Sequence, residues 1–205
     1  MTVLALLSGG LDSTWALWKQ LSETHYPVTV LHVTLMDDRK RYIPERIASR
    51  QIVQWLEENV RPLKQYKEVV VDCSDLSSPL LDSAYVAPVA ASMMLDDKTA
   101  STILMGSALD EEEHFIEQSI NDGDRLFDEL FKVLWRQGCG TCPSNVELRK
   151  IKIIHYAVDT YKAEMMRVMP QPLVDLTWSC RTPVWNREGP QICGVCFVCK
   201  YRGGK

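Results

Sequence analysis

The sequence predicts an α/β fold, an open parallel sheet with helices on both faces, followed by a small zinc-binding tail. Three observations predict it. Residues 2–7 form an unbroken apolar run that stops at Ser8-Gly9-Gly10, as a strand covered by helices on both faces does. Further strand-like runs at 28–35, 68–72 and 101–105 alternate with stretches of helical period, which is the signature of βα units and hence of parallel pairing. Beyond Pro170 the period disappears and Cys, Gly, Pro and Trp crowd together, the composition of a segment organised by a metal rather than by an apolar core.

The elements follow in order. A helix is expected from Leu11, directly after the glycines. The β-rich run at 28–35 is the second strand, and Ile47, Ile52, Trp55, Leu56 and Val60 fall at helical spacing after it. Residues 68–72 are the third strand, 86–95 the next helix, and 101–105 a fourth strand ending at Gly106. Leu126, Leu130, Phe131 and Leu134 share one face of an amphipathic helix, which the Gly, Cys and Pro residues of 138–143 are expected to break. Ser144 and Glu147 have the spacing of a capping box, and Leu148, Ile151, Ile154, Ala157, Val158 and Tyr161 predict another helix after it. The organisation read from this is an α/β unit over 1–170 and a four-cysteine tail over 171–205.

Composition narrows the function. The chain has 205 residues, 46% hydrophobic and 24% charged, enough for one sizeable core and too few for a second full domain. Lys+Arg 23 against Asp+Glu 27 leaves a formal charge of -4, so a small molecule is a better expected partner than nucleic acid. No apolar stretch approaches the roughly 20 residues of a bilayer span, and the first residues lack the basic region of a signal peptide, so no membrane association and a cytoplasmic location are expected.

The loop Ser8-Gly9-Gly10-Leu11-Asp12-Ser13 sits between a buried strand and a helix start. Two glycines let the backbone turn sharply and approach a ligand, while both serines and the helix-terminal amides offer donors to an anion; a phosphate fits. No G-K-[ST] follows, so no lysine is provided for a γ-phosphate and terminal phosphoryl transfer is disfavoured. The plainer alternative is a tight turn with a serine cap. Asp37 and Asp38 lie just past the second strand, where open parallel sheets bind ligands, and with Gly106 at the end of the fourth strand are candidate ATP contacts. Arg39-Lys40-Arg41 reads as a solvated run, His32 as a core histidine, His114 as a lesser site candidate, and Trp178 and Trp185 as packing over the tail.

Seven cysteines are an odd number for a disulfide framework. Cys180, Cys193, Cys196 and Cys199 have the spacing of a closed tetrahedral Zn²⁺ site, structural rather than catalytic, with an iron–sulfur cluster or plain packed thiols as alternatives. Cys139 and Cys142 read as loop cysteines or a metal half-site at a dimer interface, in preference to a redox pair.

S-G-G-x-D-S after the first strand resembles the PP-loop of the N-type ATP pyrophosphatases, which have a HUP-like sheet. That resemblance implies cleavage of ATP between its α- and β-phosphates, with Ser8, Gly9, Gly10, Leu11 and Ser13 on the pyrophosphate and Asp12 on Mg²⁺. Adding T-W-S-C at 177–180 and C-G-x-C-x-x-C-x-x-R at 193–202, the chain resembles the QueC family of 7-cyano-7-deazaguanine synthases as a divergent member. The resemblance implies adenylation of a 7-deazaguanine carboxylate, attack by ammonia or another amine to give an amide, dehydration to the nitrile, and a homodimer. Two family segments are replaced. Residues 85–91 stand where V-P-G-R-N is usual, and after Gly106 the chain has Asp110 and Glu111 in place of Y-P-D-C-R. Asp110 and Glu111 are candidates for the metal or the substrate amine, and their spacing leaves both roles open. A QueC-like defence enzyme that joins the deazaguanine to another amine, and a tRNA-thiolating enzyme using Cys139 and Cys142, are the alternative functions.

Overall fold

The computed structural model describes residues 1–37, 40–74, 82–97, 99–107, 114–141, 151–156, 160–196 and 199–200, with side chains in the 114–141 helix described over 124–138. Five strands, β1 (Thr2–Leu6), β2 (Val28–Met36), β3 (Gln65–Asp72), β4 (Ala100–Gly106) and β5 (Lys152–Tyr156), form one sheet in the order β3-β2-β1-β4-β5. Every pairing in it is parallel. Strand β1 lies at the centre, and its T-V-L-A-L sequence is buried almost throughout because helices cover both of its faces.

Alternation within β1 sends Val3 and Ala5 to one face and Leu4 to the other. On the first face they meet α1 (Leu11–Glu23), α2 (Tyr42–Asn59), α5 (Lys162–Val168) and α6 (Gln171–Asp175) through Trp15, Leu17, Ile52, Leu56, Met165 and Leu173. On the second, Leu4, Leu31 and Ile103 meet α3 (Ser83–Asp96) and α4 (His114–Thr141). Phe127, Phe131 and Trp135 repeat every fourth residue along α4, and their rings stack at centroid distances of 6.0 and 6.1 Å. The small side chains of Ala87, Ala90 and Ala91 on α3 make room for that ladder.

Two sequence expectations are corrected. Residues 151–156 are a strand and its lead-in, not part of a helix: Ile153 pairs with Ile103 and faces α4, while Ile154 turns to the other side. Each face of β5 carries a partly buried isoleucine, and the adjacent pair Ile153-Ile154, packed to opposite sides, imitates helical spacing in a β-branched segment. The proposed cap at Ser144 and Glu147 lies outside the described residues. Helix α4 runs on through Gly138 to Thr141 where a break was expected. A Cβ on Gly138 would come within 2.3 Å of the Leu95 side chain, so this glycine permits close approach of α3 and α4.

The tail is also more regular than its composition suggests. Helix α6 continues the core past Pro170 through Leu173 and Val174, and β6 (Val184–Asn186) pairs antiparallel with β7 (Gly189–Gln191). Among the described residues, no helix is long and apolar enough to cross a membrane.

Candidate nucleotide loop and metal centre

Chain connections run to opposite sides of β1, since β2 and β3 lie to one side and β4 and β5 to the other. A crevice at the carboxyl ends of the strands follows from this reversal, and the loop 8–13 occupies it. Gly9 has φ +88°, and a Cβ there would meet the Glu45 carbonyl oxygen at 2.6 Å. Gly106, at the end of β4, is equally confined: its Cβ would stand 2.3 Å from the Asp12 carbonyl oxygen. Only glycine lets these two backbones meet, so the sequence-flagged Gly106 shapes the loop from beneath.

The two serines close a small polar ring. Their hydroxyls lie 2.9 Å apart, the Ser8 amide donates to Ser13 Oγ at 3.2 Å, and the Gly10 amide donates to Ser8 Oγ at 3.2 Å. Ser13 and Thr14 both donate back to the Gly10 carbonyl, at 3.2 and 2.7 Å. Gly10 is the N-cap of α1 and supplies no side-chain cap, so the helix start presents backbone amides to the opening. Asp12 lies in the first turn, with Oδ2 3.7 Å from Lys162 Nζ. Lys162 was not singled out from the sequence. Its signal was a lysine at the first position of α5, the helix end where a cation is disfavoured by the dipole and so has another use.

Asp37 follows β2 at the same edge, and Arg41 is its neighbour at 3.8 Å. Arg41 is buried, which corrects its reading as part of a solvated run. Its Nη2 donates to Asp82 Oδ1 at 2.5 Å, and Arg181 Nη1 reaches Asp82 Oδ2 at 3.5 Å from the tail. Burial opposes the Arg41 charge, but Glu45, Asp82 and Asp37 outweigh it and hold the guanidinium protonated. Burial pushes the Glu45 carboxyl up to about 7 against the pull of Arg41. On the other side of β1, Ser107 Oγ donates to Asp124 at 2.8 Å, and His155 lies 3.3 Å from Asp124 and 3.1 Å from Asp128. The hydrogen bond and charge of Asp124 raise the His155 pKa, and this cluster fastens α4 to the ends of β4 and β5.

His32 is the core histidine expected, with Nδ1 2.8 Å from the Leu7 carbonyl oxygen. Trp178 packs against the core and its indole donates to the Cys180 carbonyl at 3.1 Å, whereas Trp185 stands 42% exposed on the hairpin. Asp38, Asp110, Glu111 and Cys142, and the side chains of His114 and Cys139, lie outside the described residues.

The four tail cysteines converge as their spacing predicts. The sulfurs of Cys180, Cys193, Cys196 and Cys199 all lie within 4.8 Å of one another, close to the separations that ligation at about 2.3 Å around one tetrahedral ion requires. The Cys193 amide donates to Cys180 Sγ at 3.3 Å and the Cys196 amide to Cys193 Sγ at 3.2 Å, which suits sulfurs carrying negative charge. The Thr182 hydroxyl and the Cys196 amide pull the Cys193 thiol down to about 6, while burial and the adjacent Cys196 push Cys199 up to about 12. Four thiolates this close need a cation to be charged together, so the donor set fits a metal ion.

Comparison with known proteins gave no match to a family model and no match to a curated protein.

Proposed function

We propose that this chain is an ATP-dependent carbon–nitrogen ligase of the PP-loop type, forming AMP and pyrophosphate, with a 7-deazaguanine carboxylate as the activated acid. The observation that carries the reading is the ring of Ser8, Gly10 and Ser13 at a helix start, with Asp12 in the first turn of that helix and Lys162 beside it. Such a site suits a departing pyrophosphate better than a transferred γ-phosphate, because the amides of the helix start would offer donors to one anion and no lysine follows the glycines to reach a γ-phosphate.

In the first step a carboxylate oxygen attacks the α-phosphorus, the bond from that phosphorus to the α,β-bridging oxygen breaks, and the electron pair leaves with pyrophosphate. Ser8, Ser13 and the helix-terminal amides stabilise the charge that builds on that leaving group, and Lys162 adds the cation that the loop lacks. The Asp12 carboxylate is the residue that would hold Mg²⁺, which supplies charge compensation on the phosphates. In the second step an amine nitrogen attacks the acyl carbon, AMP departs, and the nitrogen loses a proton to give the amide. Dehydration to a nitrile would repeat the activation on the amide oxygen. The cysteine cluster has no open ligand position and is given a structural role, with zinc as its metal.

Incubation with ATP, 7-carboxy-7-deazaguanine and ammonia tests this. AMP and pyrophosphate are expected in equal amounts with an amide or nitrile product, and release of ADP would overturn it. Asp12→Asn is expected to lower turnover by on the order of a hundredfold or more with the fold intact.

A further inference from the structure

The two functional features stand at opposite ends of the sequence, yet a short bridge joins them. Thr177 is anchored in the core: its amide and its hydroxyl both donate to the Val174 carbonyl, the hydroxyl at 2.8 Å. Cys180 is a cysteine of the metal cluster. Only Trp178 and Ser179 lie between these fixed points, and the Trp178 amide donates to the Gly9 carbonyl at 2.8 Å. The same residue is tied to the cluster side by its indole, which donates to the Cys180 carbonyl. Ser179 completes the cover, since a Cβ on Gly10 would lie 3.6 Å from the Trp178 carbonyl and 3.9 Å from Ser179 Oγ.

A second strap runs from the cluster to the far side of the crevice. Arg181 follows Cys180 directly, and its guanidinium reaches Asp82, which in turn holds buried Arg41 beside Asp37. Displacing Cys180 or Arg181 therefore moves groups that contact the loop and groups that contact the end of β2.

We propose that metal loading of the cysteine cluster and nucleotide binding at the glycine loop are energetically coupled, with Trp178 and Ser179 as the connecting bridge. This rests on the reading of the loop as a nucleotide site. Peptide orientation is the physical link. The Gly9 carbonyl, held by the Trp178 amide, fixes the plane of the Gly9–Gly10 peptide and so the direction of the Gly10 amide that faces the ring of serines. Loss of the metal releases the bridge and returns conformational freedom to that peptide, and a nucleotide must then order it at its own expense. Linkage makes the effect reciprocal, so nucleotide must tighten metal binding by the same factor.

Titration of α,β-methylene ATP with Mg²⁺ into zinc-loaded and chelator-stripped protein is the direct measurement. About tenfold weaker binding to stripped protein is expected, within the range usual for coupled sites. Competition for zinc against a chromophoric chelator should show a shift of the same size when the nucleotide is added. Equal nucleotide affinities in the two states would overturn the coupling and leave the nucleotide site standing. Absence of binding in both states would overturn the nucleotide reading itself. Should stripping unfold the core, Trp178→Phe in the zinc-loaded protein removes the indole hydrogen bond to the Cys180 carbonyl, keeps an aromatic ring for the core packing, and leaves the backbone amide that bonds Gly9. Its zinc content should stay at the wild-type value while nucleotide affinity falls about threefold, and an unchanged affinity would overturn the proposal.

Discussion

The glycine loop and the cysteine cluster are built by opposite means. The loop is shaped by backbone against backbone, with Gly9 and Gly106 each set against a carbonyl oxygen and β1 buried beneath them. The cluster is shaped by side chains. Around it Val184, Trp185, Ile192 and Val195 remain exposed, Val195 by 70%, and Cys180 and Cys199 are its buried members. A site made of main chain in a packed core keeps its form without a ligand, whereas one made of four sulfurs under an exposed hairpin takes its form from what the sulfurs hold.

The strongest way to break that contrast is to remove the metal. Structural zinc in small isolated sites contributes on the order of 10 kcal/mol to folding, and this hairpin has little apolar contact to replace it. About one zinc per chain is expected by metal analysis, and Cys196→Ser should lose it and open residues 181–199 to limited proteolysis while far-UV dichroism of the sheet and helices persists. A variant without metal whose tail stays protected would show that the hairpin supports itself.

A pair of glycine substitutions sharpens the same comparison at lower energy. Gly106→Ala forces a methyl group onto the Asp12 backbone and should cost about 3 kcal/mol in denaturant unfolding. Gly189→Ala, at φ +115° with nothing within 4 Å, meets only backbone strain and should cost about 1 kcal/mol. Equal costs would mean that the loop has no special steric confinement.

The smallest effect is on pH. Glu45 supports the loop through its carbonyl beside Gly9, and its carboxyl is raised to about 7 by burial. A carboxyl with a raised folded pKa keeps its proton in the native state after the unfolded chain has lost it, so stability falls as pH rises from about 4.5 through 7. Between pH 5 and 8 the wild type should lose about 2 kcal/mol that Glu45→Gln retains, measured as the difference between their unfolding midpoints. Parallel pH profiles for the two proteins would place Glu45 in an ordinary solvated setting.

Legibility followed from the range of the interactions involved. The run at 2–7, the glycines and the C-x-x-C-x-x-C spacing announce themselves locally, since burial on both faces and metal geometry leave marks within a few residues. Arg41, Lys162 and Gly138 do not, because the partners that explain them, Asp82, Asp12 and Leu95, lie far off in the chain. A buried arginine in an Arg-Lys-Arg run and a glycine between two close helices look locally like a surface charge and a helix breaker. Residues 151–156 failed for another reason: an edge strand that packs one isoleucine to each side has no apolar–polar alternation to display.

The central place of β1 has a consequence for the order in which the molecule can be made. Leu4 lies in register with Thr29 on one side and with Ile103 on the other. Residues 8–13 therefore leave the ribosome before the partners that complete their setting, Gly106 against Asp12 and then Trp178 against Gly9. Pairings of such long sequence separation form slowly. A nascent chain arrested before β4 would carry the glycine loop with its contact to Glu45 but without the confinement by Gly106 and the bond to Trp178, so a motif written before both partners is completed only after them.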